Sequence, residues 1–99
     1  MAGPETQTRT PTQQQEKPRQ HILPPYSVIL HNDAVNDMAH VVRSLLRSVP
    51  SLNLAKATEI MFEAHNHGKA RVTTCPLELA ELYRERLESF GLTATIEKA

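Results

Sequence analysis

Asn32 and Asp33 directly follow a short apolar run, and His65 stands three residues before Gly68, so acceptor side chains sit at the ends of separate elements. A free peptide α-amino group, with a pKa near ~7.7–8.0, is largely protonated at neutral pH and presents three N–H donors and no acceptor. The Asn32 carbonyl, the Asp33 carboxylate and a neutral His65 ring nitrogen form a complementary set, and Asp33 adds the opposite charge. Each hydrogen bond to a charged group contributes roughly 1.5–3 kcal/mol. Met38 and Val41 share one face of the helix that follows, and Met61 and His65 lie one turn apart on the next. Methionine is flexible and polarizable, so a Met-lined hollow accepts a Leu or an aromatic ring. Burying such a side chain contributes roughly 1.5–3 kcal/mol. Against an association cost of at least ~4 kcal/mol, micromolar-class binding is expected.

Taken singly, each feature has a plainer reading. Asn-Asp after a strand makes a turn, methionines at helical spacing fill cores, and a histidine near a helix C-terminus interacts with the dipole. Histidines at 21, 31, 40, 65 and 67 raise a metal site, but His65 and His67 point in different directions on a helix and no Cys pair accompanies them. No metal and no cofactor are expected. Cys75 reads as a cap or a buried thiol rather than a nucleophile, since no base partner is evident. With no Gly-rich phosphate loop, nucleophile elbow or paired carboxylates, a non-catalytic protein is expected.

The elements that must position these residues are legible in the pattern. Tyr26–His31 alternates Tyr26, Val28 and Leu30 against Ser27, Ile29 and His31, as a strand does. Apolar residues at 38, 41, 42, 45, 46 and 49 mark a first helix, with Asn36 or Asp37 as N-cap and Pro50 as stop. A second helix opens at Asn53, carries Leu54, Ala57, Ile60, Met61 and Ala64 on one face, and ends at Gly68. Ala70–Thr74 is a short strand. Pro76 begins a third helix running through Leu79, Leu82, Tyr83, Leu87 and Phe90 to Gly91, and Leu92–Ile96 alternates as a last strand. The order β-α-α-β-α-β predicts an α+β sandwich: a three-stranded, mainly antiparallel sheet covered by three helices.

The chain of 99 residues has room for one domain, and residues 1–24 are not expected to join it. Five of the seven prolines and all five glutamines fall within residues 1–25, with a single aliphatic pair, Ile22-Leu23. That composition cannot offset its ordering entropy, which predicts a flexible extension and a folded domain over 25–99. Net charge is zero, and the basic residues are dispersed, which disfavours nucleic acid or an anionic membrane as partner. A lone cysteine and the absence of a long apolar run fit a soluble, cytoplasmic protein, with a monomer as the default expectation.

Tyr26-Ser-Val-Ile-Leu-His-Asn-Asp33, Met38-x-x-Val41, Ala57-Thr-Glu-Ile-Met61, His65-x-x-Gly-Lys-Ala70 and the terminal Glu97-Lys-Ala99 resemble the ClpS adaptor family of bacterial Clp proteases. The resemblance implies an adaptor that binds proteins with a free N-terminal Leu, Phe, Tyr or Trp (N-degrons). It would deliver them to a ClpA- or ClpC-type AAA+ unfoldase coupled to the ClpP peptidase. It further implies that Asn32, Asp33 and His65 hold the α-amino group and that Met38 gates against β-branched first residues. Val41, Met61, Ala64 and Leu92 would line the pocket, with Ala34 and Asn36 at its rim. Glu78 matches an acidic residue on the family's unfoldase-docking face, where Tyr83 replaces a lysine, and residues 1–24 would engage the unfoldase. The family commonly has a second acidic residue at Ala34, a Thr-Pro at Asn36-Asp37 and a larger aliphatic at Ala64. The alternative is a protein-interaction domain of similar fold without an amine pocket, comparable to the C-terminal domain of the ribosomal stalk protein.

Overall fold

The structure is a computed structural model that describes residues 23–99. The expected extension therefore lies outside the described residues over 1–22. The elements are β1 (Tyr26–His31), α1 (Met38–Ser48), α2 (Leu54–His67), β2 (Lys69–Cys75), α3 (Leu77–Ser89) and β3 (Thr93–Lys98). Their order is the one predicted. β2 runs one residue beyond each expected end, and β3 starts one residue later and ends two residues later than expected, because both pair along the whole length of β1.

β1 is the central strand of a sheet ordered β2-β1-β3, and both pairings are antiparallel. The register slips between Val28 and Ile29, where Val72 is the extra residue of β2. This bulge keeps Ala70 and Val72 facing the core and re-phases the strand so that Cys75 packs inward as well. Val28 and Leu30 are buried as the alternation required, but Ser27 and Ile29 on the opposite face are buried too. The cause is position: a central strand is flanked on both sides, here by Thr74 and Arg71 of β2 and Thr95 and Glu97 of β3.

The helices cover the face that carries Val28, Leu30, Ala70, Val72 and Ala94. α2 lies against β2, α3 against β3 and β1, and α1 packs on both other helices. Asp37 rather than Asn36 caps α1, its carboxylate accepting from the His40 N–H at 2.7 Å. Asn53 caps α2 as expected, accepting from the Lys56 N–H at 2.8 Å. Gly68 closes α2 with φ +91°, a conformation that an L side chain resists. Pro76 stands just outside α3 as its N-cap.

The buried face of α3 differs from the expected one. Leu79 and Leu82 remain 41% and 38% exposed, whereas Ala80 and Leu87 are buried and Tyr83 packs beside them. Ala80, Tyr83 and Leu87 form their own i, i+3, i+7 stripe, and the small Ala80 lets the helix approach the sheet closely. On α1, Ser44 and Ser48 are buried alongside Leu45 and Val49. No helix among the described residues is long and apolar enough to cross a membrane.

Candidate functional site

β1 ends by delivering Asn32 and Asp33 to the top of the sheet. There the Asn32 N–H donates to the Gly68 carbonyl at 2.9 Å, which fastens this end of β1 to the C-terminus of α2. His65 lies in the last turn of α2, so that bond sets its position relative to Asn32 and Asp33. The loop turns at once into α1, whose first residue is Met38. A third piece joins from the other edge: the His40 Nε2–H donates to the Phe90 carbonyl at 2.7 Å, and the Asn36 Nδ2–H donates to the Gly91 carbonyl at 2.9 Å. These two bonds hold the corner between α3 and β3, and with it Leu92, against the loop.

The result is a cavity of about 480 Å³. Asn32, Asp33 and His65 all line it, and so do Met38, Val41, Met61, Ala64 and Leu92. The apolar residues are graded by depth: Met61, Ala64 and Leu92 are buried, Val41 is half-buried, and Met38 is 41% exposed. Met38 thus stands at the mouth and the others form the floor and wall. Ala34 and Asn36 line the same space, together with Leu30, His31 and Asp37, which the sequence reading did not place at the site. Glu78 and Tyr83 lie on α3, away from the cavity; Glu78 is exposed and Tyr83 packs against the core.

The Asp33 carboxylate is the most heavily hydrogen-bonded side chain lining the cavity. Its Oδ1 accepts from the Val35 and Asn36 backbone N–H groups, each at 3.0 Å, and from Asn36 Nδ2 at 3.1 Å. Its Oδ2 accepts from Asn36 Nδ2 at 3.0 Å. These donors, the Asn36 N–H foremost, hold its pKa below the ordinary aspartate value against a smaller opposing effect of burial. Asp33 is therefore a fixed anion at neutral pH. Oδ2 is the less occupied oxygen and retains lone-pair capacity for a further donor. An ionised carboxylate, an amide and an imidazole around an apolar hollow suit a cationic head joined to a hydrophobic side chain. Among the described residues no group of three or more His, Cys, Asp or Glu could hold a metal ion.

What sequence reasoning missed is the role of Asn36. It was expected at the rim or as a helix cap, but its side chain bonds both the Asp33 carboxylate and the Gly91 carbonyl. Its partner Gly91 lies 55 positions away, so no local pattern signals the contact.

The model of the ATP-dependent Clp protease adaptor protein ClpS matches residues 22–95. The ATP-dependent Clp protease adapter protein ClpS of Synechococcus elongatus is 48% identical over 79 residues, covering 80% of this chain and 83% of that protein. That of Gloeobacter violaceus is 41% identical over 88 residues, covering 89% and 95%. A chloroplastic Clp protease adapter protein of Arabidopsis thaliana is 41% identical over 76 residues, which is 77% of this chain and 48% of that longer protein. Among solved structures, Agrobacterium tumefaciens ClpS2 bound to L-phenylalaninamide superimposes with a TM-score of 0.72 at 24% identity, covering 77% of this chain and 98% of that one. This last likeness bears on the fold. With the sequence matches spanning nearly the whole described domain, the chain belongs to the ClpS family of ATP-dependent Clp protease adaptor proteins.

Proposed function

We propose that this adaptor captures proteins by a free N-terminal Leu, Phe, Tyr or Trp and hands them to a ClpA- or ClpC-type unfoldase for degradation by ClpP. The observation that carries the reading is the shared cavity: three acceptor side chains from β1's end and α2 open onto the same space as Met38, Val41, Met61, Ala64 and Leu92. In this reading Asp33 neutralises the ammonium, and Asn32 and His65 take its remaining N–H donors. Met38 at the mouth screens the incoming side chain, and the buried residues receive it. The ligand of the Agrobacterium relative, L-phenylalaninamide, combines a free amino group with an aromatic side chain and suits the same division of labour. Glu78, exposed beside Leu79 and Leu82 on α3, is the proposed docking surface for the unfoldase, with residues 1–24 engaging it during delivery.

The test is a pair of peptides that begin with Leu and differ only by N-acetylation. Acetylation removes the charge and two donors and leaves the side chain intact. Fluorescence anisotropy is expected to show at least about a hundredfold preference for the free amine, the equivalent of two lost charged hydrogen bonds. Asp33→Ala should abolish most of that preference while the fold stays intact by circular dichroism. Equal binding of the two peptides would favour an interaction domain that uses a helix face and no amine pocket.

A further inference from the structure

Asn36 joins the polar and apolar halves of the cavity through one amide group. The nitrogen, not the oxygen, must face Asp33 and Gly91, because both partners are acceptors. One hydrogen is shared between the two carboxylate oxygens of Asp33, at 3.1 and 3.0 Å, and the other goes to the Gly91 carbonyl at 2.9 Å. The Asn36 backbone N–H also holds Oδ1, so this residue grips the carboxylate twice. Gly91 directly precedes Leu92, a buried wall of the cavity.

We propose that Asn36 is the positioning residue of the capture site: it fixes the Asp33 carboxylate at the mouth and ties it to the Gly91 carbonyl, so that recognition of the amine and the shape of the apolar wall are set together. This rests on the reading of the cavity as an N-terminal amine site. Asn36 does not need to touch the bound residue; it acts through Asp33 and Leu92. The pull of its N–H groups on the Asp33 carboxylate, visible in the lowered pKa, is the electrostatic trace of the same contact. The other ionisable groups lining the cavity, His31, Asp37 and His65, are not bonded to Asn36.

The experiment is a double-mutant cycle with a free-amine Leu peptide, followed by anisotropy, and a ¹³C NMR titration of the Asp33 carboxyl. Asn36→Ala is expected to weaken binding about tenfold and to move the Asp33 titration slightly upward, since it removes the side-chain donor and keeps the backbone N–H, the larger contributor. In the Asp33→Ala background the same change should add less than about twofold, because its main lever is gone. Asn36→Ser, which keeps one hydroxyl donor and gives up the reach to Gly91, is the second variant and should show the same dependence on Asp33. An unchanged Asp33 titration in Asn36→Ala, or an equal loss of binding with and without Asp33, overturns the assignment while the amine site stands. If the unmodified protein does not distinguish the free from the acetylated peptide, the amine site itself falls, and this inference with it.

Discussion

At the scale of single residues, the negative charge at the cavity mouth is fixed by its neighbours. The Asn36 and Val35 donors lower the Asp33 pKa in the folded protein, so the stability they contribute is fully present above the unfolded aspartate value, near ~3.9, and is lost as pH falls through the lower folded value. Asp33 therefore gives amine binding no pH dependence between pH 7 and 5.5. His65→Ala, which removes one of the proposed acceptors, should weaken binding of a free-amine Leu peptide about tenfold by anisotropy at fixed ionic strength. Unchanged affinity would leave His65 a purely structural role.

At the scale of elements, end signals were legible in the sequence and buried faces less so. Asn53 and Gly68 act on groups within four residues of themselves, and each was identifiable from type and position. The candidate acceptors were legible for the same reason, as each stands at an element's end. Which leucines of α3 are buried was not, because Leu79, Leu82 and Leu87 are the same residue type and only the packed sheet distinguishes them. The long-range bond from Asn36 to Gly91 was invisible for a similar reason. The two faces of α3 give an opposed pair of outcomes. Leu87→Ala should lower stability by about 2–5 kcal/mol in urea unfolding, as fully buried leucines do. Leu82→Ser should leave stability within about 0.5 kcal/mol and, on the proposed docking surface, weaken binding to the unfoldase.

At the scale of the whole molecule, the sheet topology assembles the cavity. Placing β1 in the centre puts its last residues between the end of α2 on one side and the start of β3 on the other. Gly68 makes one of these junctions. A Cβ there would meet no atom within 4 Å, so Gly68→Ala carries only the backbone strain of φ +91°. That strain should cost about 1 kcal/mol in chemical denaturation. Because the Gly68 carbonyl holds Asn32, the same variant should also weaken peptide binding, whereas a capping change at Asn53 should lower stability alone.

β1 also separates two poles of the domain. The chain enters it at Tyr26, where the Ala99 N–H donates to the Pro25 carbonyl at 3.0 Å, and reaches the cavity only after His31, a strand's length of about 20 Å away. On the proposed function, cargo gripped at one pole leaves the opposite pole, where β1 begins, to the unfoldase. Holding and handing over need not compete for the same ground.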